Sequence, residues 1–522
     1  MAVEVLSICI KRNSHVKGLK IHNHEVKITQ LADDTTLILK DIFSLRTALN
    51  ILYLFQQSSG LRLNYTKTEI LQLGPITYSK SNPFNLNWVK ERIYALGTWF
   101  FKDPQCIVNS NYRYKLNCFI DVLKKWKCRK LTWFGKITVL KSIALSKLTY
   151  CISTLETPEW FTDEVKKAIV EFMWDGKPSK IKYQTAIGDV SNGGLKLPDI
   201  HTFIVSQKAS WVKRILNAEN SHFLPYLSEF LPDMYFSDIL SLNVDATQLS
   251  PDIPLFYLQM LHAWYQCNDN PDDVCDILTQ VLWFNKNIMI NKECIFYKKW
   301  YQNGIRYVND LINDYGKICN YEQFKAKYDV KCNHFHYMAL IDALPKEWKT
   351  TIKNNTVKVL MFDITEECML KRKFNHVVKP VEEITSKDIY WKLLKDIVGA
   401  PTCIQSWQTK HGFSFDEEIW KVIFELPYKI AKSVKIREFQ LKIIHRVYAS
   451  KSYVSRFDKS VKNNCITCST KCDIIHMFYN CDNVKTFWNS FELWFASHCT
   501  DIVVTLDIVI FGQTSPSSFL IN

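Results

Sequence analysis

The sequence predicts an α+β protein that is mostly helical. Only 14 of its 522 residues are glycine, which favours long helices over a turn-rich all-β fold. Apolar residues recur at helical spacing through residues 1–12 and 43–58, and Ser59-Gly60 ends the second pattern as a helix C-terminus does. Residues 27–39 instead alternate apolar and polar side chains around Asp33-Asp34, which predicts a β-hairpin with both carboxylates at its tip.

The composition is that of an ordinary folded protein, with 47% hydrophobic and 23% charged residues. The net charge of +14 indicates a polyanionic partner; the alternative is a merely basic globular protein. Seventeen cysteines, an odd number, indicate free thiols and a metal site rather than a disulfide framework. No apolar run reaches the ~20 residues that span a bilayer, and no secretory leader is recognisable. We therefore expect an intracellular protein of the nucleus or cytoplasm without a membrane partner.

The adjacent carboxylates of Asp33 and Asp34 suit nucleotidyl transfer. In that reaction two divalent metals, about 3.5–4 Å apart, stabilise the attacking and the leaving oxygen. Mg²⁺ prefers hard oxygen ligands and retains several waters, so few carboxylates suffice to hold it. The alternative is a solvated Asp-Asp turn without a metal.

Three motifs follow one another in the order and spacing of a known family. They are Ala-Asp-Asp at residues 32–34, Gly-Leu-Arg-Leu-Asn-Tyr-Thr-Lys-Thr at residues 60–68 and Tyr-Ala-Leu-Gly at residues 94–97. The series resembles the second half of the reverse-transcriptase palm of non-LTR (LINE-type) retrotransposons, where these motifs are the catalytic hairpin, the motif after it and the primer-grip hairpin. Leu31 stands where the family usually has an aromatic residue.

The resemblance implies RNA-directed DNA polymerisation primed at a nicked target. Asp33 would bind Mg²⁺, Asp34 would support it, and Lys67 would lie near the triphosphate and protonate or steady the leaving group. A solvated turn lysine is the alternative at residue 67. The family also uses an upstream metal-ligating Asp and fingers, whereas residues 1–32 contain no Asp. We therefore expect this chain alone not to polymerise DNA.

A strongly basic stretch covers residues 112–150, where ten Lys and Arg residues accompany one acid, Asp121. In the family this stretch begins the helical thumb, which follows the template–primer duplex through its phosphates without reading sequence. The predicted nucleic-acid contacts are Lys124, Lys125, Lys127, Arg129, Lys130, Lys136 and Lys141. The alternative is a solvated basic face on a packed helix pair. The interleaved aromatic residues, among them Phe119 and Trp133, are expected in the core.

A second constellation near the C-terminal end has the spacing C-x₂-C-x₇-H-x₄-C. Cys465, Cys468, His476 and Cys481 supply it, and this donor set predicts a tetrahedral structural Zn²⁺ site without an open position. Cys472 lies within the loop as a substitute ligand or a bystander. The alternative is a pair of cysteines packing as small hydrophobic residues. The module also resembles the zinc-binding module that ends many LINE-type proteins.

These observations predict four segments: a partial reverse-transcriptase palm at residues 1–102, a helical thumb at 103–225, a helical linker region at 226–435 and a zinc-binding domain at 436–522. A polar stretch at residues 268–273 is the best linker candidate. The implied partners are an RNA template, a DNA primer or target, and the element's own RNA in a ribonucleoprotein. Three interpretations stay open: a truncated reverse transcriptase-like protein, a decayed or repurposed remnant that binds nucleic acid without catalysis, and a fragment of a longer enzyme.

Overall fold

A computed structural model of the chain describes residues 2–21, 24–32, 34–74, 84–217, 223–328, 330, 333–364, 370–374, 377–498 and 503–513. Within these ranges the protein is mostly helical, and its strands form small two-stranded sheets. The predicted α+β, mostly helical fold class is confirmed. Isolated strand pairs are marginally stable in water, so packing between helices provides most of the core.

The α-helices of the first half lie at Ala2–Arg12, Ile42–Ser59, Pro104–Lys127, Trp133–Val139, Ser146–Thr154, Glu159–Trp174, Tyr183–Ala186, Ile200–Ala209, Trp211–Leu216, Phe223–Ser228, Phe236–Leu240 and Leu255–Tyr265. Those of the second half lie at Val274–Leu278, Lys298–Gln302, Tyr321–Lys327, His334–Ala343, Lys346–Asn354, Thr356–Leu360, Ser386–Lys395, Thr402–His411, Glu417–Ile430, Val434–Ile444, Lys451–Val454, Asp482–Ala496 and Leu506–Phe511. Single π-helical segments lie at Leu140–Ala144 and His476–Asn480. Short 3₁₀ turns lie at Val190–Asn192, Ala246–Gln248, Val308–Leu311 and Val381–Glu383.

Each strand in the described part of the chain pairs with a strand next to it in sequence. The antiparallel pairs are Leu19–Ile21 with His24–Val26, Ile28–Leu31 with Asp34–Leu37, Arg92–Ala95 with Thr98–Phe101, Met289–Ile290 with Glu293–Cys294, and Lys371–Phe374 with Val377–Pro380. Glu69–Leu71 pairs in parallel with Asn87–Val89.

The chain divides into two compact units, each assembled from segments that are distant in sequence. The first unit comprises Met1–Lys115, Tyr150–Pro158 and Ile204–Tyr390, and the second comprises Leu116–Thr149, Glu159–Phe203 and Trp391–Asn522. The four-segment division of the sequence stays a prediction.

The polar stretch at residues 268–273 lies inside the first unit. There the side-chain amide of Asn268 donates hydrogen bonds of 3.1 Å to the carbonyls of Leu240 and Leu242. The stretch is therefore a loop anchored within a compact unit, which corrects its interpretation as a linker. The polarity of the stretch alone could not distinguish a linker from an anchored loop, because the anchoring carbonyls lie 26 and 28 residues earlier in the chain.

The predicted hairpin around the Asp-Asp pair is confirmed, with Leu31 opposite Asp34 at its closed end. Ala32 adopts a φ of 54°, the left-handed conformation that tight hairpin turns require. The helix Ile42–Ser59 then begins at Asp41, whose carboxylate accepts the Ser44 N–H at 2.8 Å. It ends at Gly60, whose φ of 75° makes it the predicted C-cap.

The Tyr-Ala-Leu-Gly motif also forms the hairpin expected for it. Arg92–Ala95 pairs with Thr98–Phe101, and Leu96 and Gly97 occupy the turn with φ values of 49° and 78°. Two consecutive positive φ angles define the type I′ turn, whose twist matches that of the flanking strands. Glycine at residue 97 is therefore a conformational requirement.

The core of the second unit is rich in aromatic residues. Its buried side chains are Cys403, Trp407, Phe413, Phe415, Trp420, Ile423, Phe424, Ile443, Ile444, Ile474, Ile475, Ile510 and Phe511. Ile474 and Ile475 directly precede His476, and burial stabilises the fold by about 1.5–3 kcal/mol per side chain. The packing of these two residues therefore fixes the position of the chain at His476, one of the predicted metal ligands.

Candidate metal centre and basic cluster

The structure brings the four predicted zinc ligands together. The Sγ atoms of Cys465, Cys468 and Cys481 and a ring nitrogen of His476 all lie within 4.8 Å of one another. Cys465 Sγ is 3.9 Å from Cys481 Sγ, and Cys468 Sγ is 3.2 Å from His476 Nε2. Around a tetrahedral Zn²⁺ with bonds of about 2.0–2.3 Å, donor atoms lie roughly 3.3–3.8 Å apart. The cluster therefore fits a metal ion such as Zn²⁺ in both spacing and donor chemistry.

The two-cysteine turn is preorganised by its own backbone. The Cys465 N–H donates to the Thr470 carbonyl at 2.7 Å, and the Ser469 N–H donates back to the Cys465 carbonyl at 3.2 Å. The backbone N–H of Cys468, the His476 side chain and the backbone N–H of Thr467 lower the pKa of the Cys465 thiol to about 5. Because the thiolate is the form that binds a metal, this turn presents a ready ligand.

Cys481 differs from Cys465 in its electrostatics. Burial raises the pKa of its thiol, and the neighbouring Cys465 adds to that rise. Two thiolates 3.9 Å apart repel each other unless a cation lies between them. A divalent metal removes this conflict, since it favours the deprotonated form of every cysteine that binds it.

A π-helical turn brings His476 and Cys481 onto one side of the chain. The Cys481 N–H donates to the His476 carbonyl at 3.0 Å, five residues back. Five residues complete about one π-helical turn, whereas in an α-helix of 3.6 residues per turn the same spacing would point the two side chains apart. Asp473 fixes the start of this turn by accepting the His476 N–H at 2.9 Å.

Thr470 orients the histidine and was not identified from the sequence. Its hydroxyl lies 3.1 Å from His476 Nδ1, 3.5 Å from His476 Nε2 and 3.0 Å from Cys468 Sγ. A hydroxyl in contact with two of the four donor side chains helps to hold them in place beside the metal position. A lone hydroxyl between ligands carries no spacing signature, which is why sequence reasoning overlooked it.

Cys472 is a bystander. It is buried, and its backbone N–H donates to the Asn463 carbonyl at 2.8 Å. The donor group within 4.8 Å does not include it. With four protein ligands and no open position, the centre is suited to a structural metal and not to a catalytic one.

Five of the predicted nucleic-acid contacts form one exposed group, which we call the basic cluster: Lys124, Lys125, Lys127, Arg129 and Lys130. The cluster covers the last turn of the helix Pro104–Lys127 and the turn that follows, where cations interact favourably with the helix dipole. The guanidinium carbon of Arg129 lies 4.6 Å from the centre of the Trp126 ring. Lys127 also pairs with Glu171 at 3.3 Å, a surface ion pair of small energy.

Lys136 does not belong to this exposed group, which corrects the prediction for this residue. Its side chain is 5% exposed, and its ammonium lies 2.7 Å from Asp175 Oδ1 and 3.1 Å from the Met173 carbonyl. A buried ammonium with two partners serves the fold. Lys141, by contrast, is exposed on the π-helical segment Leu140–Ala144 and stays a predicted contact.

Two of the interleaved aromatic residues, Phe119 and Trp133, lie in the core as expected, whereas Trp126 and Phe134 are half-buried. Phe119 and Trp133 are buried, and the Trp133 ring meets that of Trp174 edge to face at 5.2 Å. Three further cations of the second unit interact with one another. Partial burial lowers the pKa of Lys180, and the positive charges of Lys442 and Lys177 lower this pKa further. They come from distant parts of the chain, so the sequence could not place them together.

The catalytic-type residues are described in part. Asp33 lies outside the described residues. Asp34 is exposed at the start of its strand, and Lys67 is exposed in a turn whose N–H groups bond to Asn64. Among the described residues, Asp34 is in no group of three or more metal-ligating side chains. The predicted Mg²⁺ site stays a prediction.

No helix within the described ranges combines the length and apolarity needed to cross a bilayer.

Comparison with known proteins finds one informative similarity. No protein-family model matches the chain. A stretch of 181 residues, 34% of the chain, is 23% identical to the Transposon TX1 uncharacterized 149 kDa protein of Xenopus laevis. The matched stretch spans 14% of the length of that protein. The chain is thus similar over about a third of its length to a transposon protein.

Proposed function

We propose that this chain is a retrotransposon-derived, reverse transcriptase-like protein that binds nucleic acid through the basic cluster and carries a structural zinc module. The similarity to a transposon protein supports the origin. The three palm-type motifs, two of which form hairpins with the expected turns, support the link to reverse transcriptases. The partners would be an RNA template and a DNA primer or target, held in a ribonucleoprotein with the element's RNA.

The basic cluster is the observation that carries this proposal. Five cations within seven consecutive residues are exposed, and Glu171 is the acid that contacts them in the described structure. Lys and Arg displace condensed counterions from phosphates, so such a surface binds nucleic acid without reading its sequence. The planar guanidinium of Arg129, resting on Trp126, is presented in a fixed orientation suited to bidentate phosphate contact.

DNA synthesis is the activity of the family that the three motifs resemble, and we do not propose it for this chain alone. In a complete enzyme of that family, Asp33 and Asp34 would hold Mg²⁺, and Lys67 would act at the leaving group. The chain's own contribution is binding, and the zinc module would keep its C-terminal part folded while it binds.

The test replaces Lys124, Lys125, Lys127, Arg129 and Lys130 with glutamine and measures binding of a labelled RNA–DNA hybrid duplex by fluorescence anisotropy at several salt concentrations. For the unmodified chain, the logarithm of affinity should fall linearly with the logarithm of salt concentration. Each phosphate contact adds about −0.9 to that slope, so the variant, which removes five cations, should lose up to about 4.5 units of slope. Two unrelated duplex sequences should bind equally.

A matched control replaces five exposed lysines of the first unit, Lys299, Lys325, Lys346, Lys353 and Lys358, with glutamine. This control removes the same net charge and should leave the slope nearly unchanged. An equal loss of slope in both variants would show that the basic cluster acts only through the net charge of the chain. Salt-insensitive binding by the unmodified chain would contradict the proposal outright.

A further inference from the structure

The second unit contains a cavity that neither the metal centre nor the basic cluster uses. It has a volume of about 160 Å³. Its walls come from the helix Thr402–His411, the turn after Val434–Ile444, the helix Lys451–Val454 and residues 473–475. All of these segments belong to the same unit, so the cavity is a property of that unit alone.

The cavity is electropositive. Lys410, Arg446 and Arg456 line it together with a single acid, Asp473. Asp473 accepts the His476 N–H at 2.9 Å. Burial lowers the pKa of Arg446 and of His411, and the negative charge of Asp473 partly offsets that lowering. Three cations beside one carboxylate in a partly enclosed space favour the entry of an anion.

Buried donors in the cavity lack a protein acceptor. Arg446 Nη1, and His411 Nε2 in the tautomer that carries its proton there, are buried without a hydrogen-bond partner in the described part of the chain. A buried donor without an acceptor is unfavourable, so a ligand that accepts hydrogen bonds is favoured here. N–H donors need an acceptor, and an oxyanion offers several at once.

Arg446 is held in a fixed position. Its guanidinium carbon lies 4.4 Å from the centre of the Trp407 ring, and its backbone has a φ of 60°. This left-handed conformation is that of a Schellman cap after the helix Val434–Ile444, because the Arg446 N–H donates to the Ile443 carbonyl and the Val447 N–H donates to the Lys442 carbonyl, both at 2.9 Å. The stacking on Trp407 places the guanidinium at the wall of the cavity.

The size of the cavity limits the ligand. Its volume corresponds to about five water molecules at ~30 Å³ each, and pockets for drug-sized ligands begin at roughly 300 Å³. We infer that the cavity binds one phosphate group, with Arg446 Nη1 and His411 Nε2 donating to its oxygens and with Lys410 and Arg456 balancing its charge. The group is either inorganic phosphate or a phosphate of a nucleic-acid strand.

The experiment titrates inorganic phosphate into the zinc-loaded full chain by calorimetry, against chloride at equal ionic strength. One phosphate per chain is expected. Arg446→Gln should weaken phosphate binding at least about tenfold, because it removes a charge-assisted hydrogen bond. Arg456→Gln should also weaken phosphate binding, because it removes a cation that balances the charge of the anion. Lys459→Gln, an exposed charge of the same segment outside the cavity, should not change the affinity. Arg456 is exposed, so its variant decides the question if Arg446→Gln fails to fold.

The source of the phosphate is resolved by competition. A short 5′-phosphorylated oligonucleotide that displaces inorganic phosphate identifies a strand phosphate, and failure to displace it identifies the free anion. Absence of saturable phosphate binding in the unmodified chain, or an affinity in both arginine variants equal to that of the unmodified chain, would overturn the inference. The basic-cluster variant should retain phosphate binding, which separates this inference from the proposed function.

Discussion

Removing one ligand from the metal centre tests its structural role most directly. Cys481→Ser deletes a thiolate from the four-donor group, and Cys472→Ser is the matched control, because both cysteines are buried but Cys472 is not a donor. We expect one equivalent of zinc in the unmodified chain and in Cys472→Ser. Cys481→Ser should hold less than about half an equivalent under reducing conditions.

The extent of unfolding after metal loss depends on how strongly each part of the zinc module is stabilised by other contacts. Structural zinc sites in small peptides contribute about 10–16 kcal/mol of folding energy. In this protein Ile474 and Ile475 are buried in the core and retain about 3–6 kcal/mol together without metal. The two-cysteine turn has no such anchor, and Ile466 within it is 87% exposed. Metal loss should therefore release residues 463–472 while residues 474–475 stay packed.

Hydrogen–deuterium exchange with mass spectrometry measures this directly. Chelation or Cys481→Ser should accelerate exchange at the amides of Cys465 and Cys472, which bond within the turn, and leave the helix Glu417–Ile430 protected. Thr470→Val should keep the zinc but weaken its affinity by about 10–100-fold, as loss of a ligand-orienting hydrogen bond does. Full zinc loading of Cys481→Ser, or equal zinc loss in Cys472→Ser, would refute the assignment of ligands.

Two further predictions concern stability in the second unit. Asp175→Asn should lower the free energy of unfolding by about 1–2 kcal/mol, because it leaves the buried Lys136 ammonium without its anion; the half-exposed carboxylate limits the loss. Lys136→Met should lower the free energy of unfolding less than Asp175→Asn does, and it should leave the affinity for a nucleic-acid duplex unaltered. If urea unfolding showed the larger loss for Lys136→Met, the structural role of Lys136 would be contradicted. Burial lowers the pKa of His445 from 6.5 to about 4, so the unfolded chain takes up its proton first and stability should fall by up to about 3 kcal/mol as the pH drops from 6.5 to 4. His445→Gln should remove that part of the pH dependence measured by thermal unfolding, whereas an unchanged profile would show that other groups cause it.

Local features of this protein were determined by the sequence alone. The hairpin at the Asp-Asp pair, the helix ending at Gly60 and the turn at Gly97 depend on side-chain alternation and on the freedom of glycine at positive φ, which act over a few residues. The grouping of the four predicted zinc ligands was predictable for the same reason, since their spacing within seventeen residues fixes what one short segment can bring together.

Tertiary structure decided the role of groups whose partners are distant in sequence. In the sequence Lys136 is indistinguishable from its basic neighbours. In the structure its ammonium is buried against Asp175 and the Met173 carbonyl, almost forty residues away. The cavity around Arg446 joins segments that begin near residue 402 and end near residue 475. Burial and charge pairing depend on which segments meet in three dimensions, and a one-dimensional pattern does not contain that information. Spacing along the chain could therefore indicate which side chains form the candidate metal centre, but only the packed structure could separate a buried cation from an exposed one.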